Sequence, residues 1–62
     1  MRIIHTGSKW GNLYNFRYFI DGRRVTEGEW ITAHDRAMEL EHTQVTENTS
    51  YGFRTVTTTK GD

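Results

Sequence analysis

The stretch Leu13-Tyr14-Asn15-Phe16-Arg17-Tyr18-Phe19-Ile20-Asp21-Gly22-Arg23-Arg24-Val25 decides the fold. Tyr14, Phe16, Tyr18 and Ile20 alternate with Leu13, Asn15, Arg17 and Phe19, the period of two expected of a strand whose two faces differ. Asp21-Gly22 follows at once. An Asp-Gly pair between strands is a strong hairpin signal, because both central residues of a type I′ turn need positive φ. A two-residue turn here pairs Ile20 with Arg23, Phe19 with Arg24 and Tyr18 with Val25. Carried on unbroken, this register sets Glu27 beside Phe16 on the ring-bearing face and sends Trp30 to the opposite one. A bulge at Gly28 flips the faces beyond it and brings Trp30 next to Tyr14. Glu27 then stays on the ring-bearing side, which suits only an edge position.

Working outward, Thr32-Ala33-His34-Asp35 has the form of a helix start. Thr32 can cap a free N–H, and Asp35 three residues on completes an approximate capping box at the positive end of the helix. The expected helix runs from Ala33 to about Gln44, with a narrow apolar stripe of Ala37, Met38 and Leu40. Small Ala33 and Ala37 permit a close approach to a sheet, while Arg36, Glu39, Glu41 and His42 face solvent. Val45 to Gly52 is expected to be a polar loop holding the turn formers Asn48, Ser50 and Gly52. Phe53 to Thr59 is rich in β-branched residues and predicts another strand; Arg2 to His5 adds a short fourth one. The expected fold class is α+β, a three-stranded (four-stranded if Arg2 to His5 joins) antiparallel sheet packed on one helix in β-β-α-β order. It forms a single domain over residues 1–62.

Sixty-two residues lie near the lower limit for unassisted folding, since so short a chain buries only about 60% of its unfolded surface. There is no cysteine, which excludes disulfides and thiolate zinc sites and leaves packing, with homodimer formation as a further support. No apolar run approaches the roughly 20 residues of a membrane-spanning helix. The start Met1-Arg2-Ile3-Ile4-His5 lacks the apolar region of a signal peptide, so the expected location is the cytoplasm.

Catalytic and metal chemistry find no footing. His5, His34 and His42 include no pair at helical i, i+4 spacing, so no metal site and no cofactor are expected. Ser8 and Ser50 lack a G-x-S-x-G elbow, and neither Gly7 nor Gly11 opens a helix that could cradle phosphate. The expected protein is not an enzyme.

Charge is more informative. Eight Lys/Arg balance eight Asp/Glu, so only a sorting of charges onto faces could favour a charged partner. If Tyr14, Phe16, Tyr18, Val25 and Trp30 pack under the helix, the opposite sheet face carries Asn15, Arg17, Phe19, Arg24 and Thr26. Arg23 stands at the turn, and Lys9 and Trp10 flank the first long strand. The carboxylates Asp35, Glu39 and Glu41 fall on the helix side. Arginine matches guanine and asparagine matches adenine in the major groove, so duplex DNA is the expected partner. Its candidate contacts are Asn15, Arg17, Arg23, Arg24, Thr26 and Trp10.

Gly22-Arg23-Arg24-Val25, Gly28, Trp30, Thr32-Ala33, Asp35 and Ala37 run without a gap in the pattern G-[KR]-R-V-x-x-G-x-[FW]-x-T-A-x-[DE]-x-A. In this the chain resembles the DNA-binding domain of plant ethylene-response factors and, more loosely, the arm-type DNA-binding domains of tyrosine integrases. Lys9-Trp10-Gly11 and Arg17 are similar to that family's W-G and arginine-bearing strand. The resemblance implies a three-stranded sheet lying in the major groove, backed by a helix, with Arg17, Arg23, Arg24 and Trp10 at the DNA. It fits a small phage or mobile-element regulator of transcription. The length, the expected element order, Ala37 with Glu39-Leu40, and Gly52-Phe53 also resemble the small phage inhibitors of host RNA polymerase. That second resemblance implies a protein partner, a host enzyme such as RNA polymerase, met through the acidic helix or an exposed strand edge, with Asp35, Glu39, Glu41 and Arg54 as its contacts.

Overall fold

Residues 1–60 are described by a computed structural model, in which the central hairpin keeps the register expected of it. Asp21 (φ 49°) and Gly22 (φ 84°) both occupy the left-handed region, as a type I′ turn requires. They join β2 (Leu13–Ile20) to β3 (Arg23–Val25), with Ile20, Phe19 and Tyr18 opposite Arg23, Arg24 and Val25. The Asp21 carboxylate also accepts from the Arg2 backbone N–H at 2.9 Å, tying the turn to the neighbouring strand.

Beyond Val25 the chain departs from the expectation. There is no bulge at Gly28 and Trp30 is not on a strand; α1 runs from Glu27 to Glu39 instead of from Ala33 to Gln44. The helix cap lies six residues earlier than the expected Thr32, at Thr26. The Thr26 hydroxyl accepts from the Glu29 N–H at 3.3 Å and donates to the Glu29 carboxylate at 3.2 Å. Once Glu27 is in the first helical turn its position needs no sheet edge, and there a carboxylate complements the helix's positive end. Trp30, Ala33, His34 and Ala37 recur at three- and four-residue intervals and supply the face turned to the sheet. Ala37 is fully buried, while Met38 and Leu40, expected beside it in the stripe, are exposed.

The sheet has five strands, not three or four, and the element order is β-β-β-α-β-β. The added length comes from β1 (Arg2–Trp10), which extends well past His5, and from β4 (His42–Thr49), which replaces the expected helix end up to Gln44 and the start of the expected polar loop from Val45. β4 pairs with β5 (Gly52–Thr59) over its whole length. Side-chain bonds cross that pair, with Gln44 Nε2 donating to the Thr57 hydroxyl at 3.2 Å and the Thr46 and Thr55 hydroxyls 3.1 Å apart. Hydroxyl and amide ladders thus replace the apolar alternation that marks most strands.

All neighbours are antiparallel in the order β3-β2-β1-β5-β4. The helix carries the chain across one face from β3 at one edge to β4 at the other, so β1 and β5 lie inside the sheet. Its packing is concentrated at one end, where Ile3 and Thr57 are buried. A 13-residue helix is about 20 Å long, and the molecule measures 39 × 21 × 17 Å. The far end, with Trp10, Leu13, Tyr14, Phe16 and Tyr51, is therefore left exposed. There the Phe53 ring lies over Gly7, where a Cβ would come within 2.3 Å of it. Gly52, at φ 149°, is pressed so close to Gly7 that an added Cβ would meet its carbonyl oxygen at 1.9 Å.

Candidate nucleic-acid interface

Because strand side chains alternate and paired residues share a face, the registers sort every strand position. The side that bears the helix carries Ile3, His5, Gly7 and Lys9 of β1, Tyr14, Phe16, Tyr18 and Ile20 of β2, Arg23 and Val25 of β3, and Phe53, Thr55, Thr57 and Thr59 of β5. His5 is the hub of its aromatic cluster. Its ring stacks on Tyr18 at 4.6 Å, meets the edge of Phe53 at 5.2 Å, and lies 5.2 Å from Trp30. Burial among these rings pushes the His5 pKa down, and Glu27 partly opposes the shift. His5 Nε2 and Trp30 Nε1 are both buried without a hydrogen-bond partner among the described residues.

Among the described residues no helix covers the opposite face. A row running across the sheet, Arg24-Phe19-Ile4-Val56-Val45, gives it an apolar band in which Phe19, Ile4 and Val56 are half-buried. The next row is Arg17-Thr6-Arg54-Glu47, and beyond it come Asn15, Ser8, Gly52 and Thr49. Arg2 completes the basic set on the other side of the apolar band. Four exposed arginines, Arg2, Arg17, Arg24 and Arg54, thus share this face with a single strand carboxylate, Glu47, among the described residues. The helix carries Glu27, Glu29, Asp35 and Glu39 against Arg36 alone. A chain of zero net charge therefore gathers four arginines on the open pleated face and four carboxylates on the helix, with Lys9 and Arg23 left on the helix-bearing side of the sheet.

Of the expected DNA contacts, Asn15, Arg17 and Arg24 come together on the open face, and Trp10 joins them at the end of β1, 76% exposed. Arg23 and Thr26 do not. Arg23 pairs with Ile20 and so takes the helix side of an edge strand, and the Thr26 hydroxyl is committed to the helix cap. Among the expected protein contacts, Asp35 and Glu39 are on α1. Glu41 lies between α1 and β4, 3.7 Å from Lys60. Arg54 belongs with the arginines of the open face. Arg2, Ile4 and Val56 were missed as members of this face. The pairing of β1 with β2 sets Arg2 and Ile4 there, and the pairing of β1 with β5 adds Val56, although Phe53 to Thr59 reads as a strand from the sequence.

Among the described residues no group of three His, Asp or Glu side chains could hold a metal ion, and no helix is long and apolar enough to cross a membrane. A shallow hollow of about 660 Å³ lies between α1 and the start of the sheet, lined by Met1, Ile20, Glu29 and Arg36 among others. No family model, curated protein or solved structure matches the chain, so neither the ethylene-response-factor nor the polymerase-inhibitor resemblance gains support from comparison.

Proposed function

We propose that this chain is a non-catalytic nucleic-acid-binding module that holds a phosphate backbone on the helix-free face of its sheet. The observation that carries the reading is the sorting of charge. Arg2, Arg17, Arg24 and Arg54 face one way, and the helical carboxylates face the other. Arginine pairs with phosphate through a planar fork of donors, and its guanidinium also stacks on bases. Arg17 and Arg54 stand two strands apart in one row, so their backbones are about 10 Å from each other. Between the basic rows, Phe19 and Ile4 offer an apolar surface on which an unpaired base can rest, and exposed Trp10 offers a ring at the end.

The breadth of the sheet favours a single strand over a duplex. Five strands span about 19 Å between outer backbones, whereas the major groove is about 12 Å wide and admits a two-stranded ribbon. A duplex would be gripped from outside, by its phosphates. The test is a fluorescence-anisotropy titration at low salt with a labelled single strand and with the matching duplex. The expected result is binding to both, tighter to the single strand, and weakened by Arg17→Ala. Absence of binding to either would end this reading. The exposed carboxylates of α1 support a second one, in which a basic protein surface, such as that of a host enzyme, docks on the helix. In that case Glu39→Lys abolishes partner recovery from a lysate while Arg17→Ala leaves it unchanged.

A further inference from the structure

We infer that the free edge of β4 pairs with the β4 edge of a second copy of this chain, joining two five-stranded sheets into one of ten strands. This inference stands apart from the nucleic-acid reading. It starts from the backbone. The Lys60 N–H donates to the Glu41 carbonyl at 2.8 Å, which sets the phase of the β4–β5 ladder. In an antiparallel pair, alternate residues point their N–H and C=O groups at the partner strand. Thr43, Val45, Glu47 and Thr49 therefore bond toward β5, and His42, Gln44, Thr46 and Asn48 direct theirs outward. Because β4 is the last strand of the sheet, those outward groups meet no further strand among the described residues.

Natural edge strands are usually blunted by shortness, proline, lysine, a bulge or a covering element. The other edge of this sheet follows the rule, since β3 has three residues, two of them arginine, and leads directly into the helix. β4 has none of these devices. It is eight residues long, contains neither proline nor lysine, and pairs with β5 without a bulge. Thr43, Val45, Thr46 and Thr49 are β-branched, the type that favours pleated structure.

The occupant is a second copy because the strand is complementary to itself. Two β4 strands running antiparallel about a two-fold axis at Val45 set Val45 against its own counterpart. Gln44 then meets Thr46, Thr43 meets Glu47, and His42 meets Asn48. No like charges face each other, and the one carboxylate lies beside a hydroxyl. The Val45 pair falls at a non-hydrogen-bonded position, where opposing side chains are closest, and it covers a valine that is 59% exposed on the single chain. Need accompanies opportunity, since Ile3 and Ala37 are the only fully buried apolar side chains among the described residues. Domains this small commonly gain stability by association. The two-fold axis lies perpendicular to the sheet, so both helices fall on one side and both arginine sets on the other.

Sedimentation velocity across the micromolar range tests this without any nucleic acid. The wild-type chain is expected to sediment as a dimer that dissociates on dilution. Val45→Lys and Val45→Glu, each alone, are expected to be monomers with unchanged circular dichroism, because each sets like charges face to face. Mixed in equal amounts they should restore the dimer. Thr46→Pro, which deletes an outward N–H and spares every backbone bond to β5, should also be monomeric and serves if a charged variant does not fold. A monomeric wild type overturns the proposal, even if the edge captures some other peptide strand. So does a dimer indifferent to both Val45→Lys and Thr46→Pro, or a mixture of the charged variants that stays monomeric.

Discussion

Replacing Arg17 and Arg54 together by alanine should change how nucleic-acid binding responds to salt more than it changes the fold. Both side chains are exposed and share one cross-strand row on the helix-free face, so their loss should shift stability by no more than about 0.5 kcal/mol each. Each phosphate neutralised on a single strand contributes about 0.7 to the negative log–log slope of affinity against salt. With Arg2, Arg17, Arg24 and Arg54 all engaged, the wild-type slope is about −2.8, and affinity falls about 50-fold between roughly 50 and 200 mM salt. The double variant keeps two contacts, so its slope should be about −1.4 and its loss over the same range about 7-fold. Anisotropy titrations at four or five salt concentrations measure both slopes. Glu47→Gln is the internal control. It removes the carboxylate opposite Arg54 and should tighten binding at low salt. A slope that stays near the wild-type value in the double variant would refute the assignment of this face to phosphate, however tightly the protein binds.

Three further outcomes follow from the helix-bearing side. Trp30→Ala removes a ring packed on His5, Tyr18 and His34 and should cost about 3–5 kcal/mol. A chain of this length has a total stability of only about 3–9 kcal/mol, so the variant should lose about a third or more of it and its urea midpoint should fall accordingly; a loss under about 1 kcal/mol would contradict the packing. Thr26→Ala should cost about 1 kcal/mol through loss of the cap, whereas Thr32→Ala, inside the helix and exposed, should cost under about 0.5 kcal/mol. The reverse order in denaturation midpoints would return the helix start to Thr32. Burial lowers the folded-state pKa of His5 below its ordinary value of 6.5, so the unfolded chain takes up the proton first. His5 thus gives its full support above about pH 6.5, and that support declines as pH falls from there toward the folded value. Stability measured across this window should drop less in His5→Phe than in the wild type; identical pH profiles would rule out the assignment.

What could be read in advance was whatever short-range chemistry fixes. Asp21-Gly22 dictates its turn, and with it the pairing of Tyr18, Phe19 and Ile20 and the common face of Arg17, Asn15 and Arg24. The segment from Thr26 to Ile31 is ambiguous because Trp30 satisfies both periods, as a strand residue alternating with its neighbours and as a helical residue four before His34. Two successive capping signatures, Thr26-x-x-Glu29 and Thr32-x-x-Asp35, compete for the helix start, and the one with glutamate wins. β4 was hidden for a different reason. As an edge strand whose residues are nearly all exposed, it carries no apolar alternation, and its hydroxyls and amides look like a loop. Arg2 and Arg54 could not be assigned to a common face from local pattern, since they meet only through the β1–β5 pairing.

That pairing also orders events in time. The β1–β2 and β4–β5 hairpins close over two-residue connections, and such ribbons form within microseconds. Their junction at Arg2 and Thr58 brings together residues from opposite extremes of the polypeptide, and the entropy of so wide a loop must be surrendered before any contact there repays it. Assembly should therefore wait on the seam down the middle of the sheet. Clipping a few residues from β1 or β5 would remove the keystone of the arch while leaving its outer stones intact.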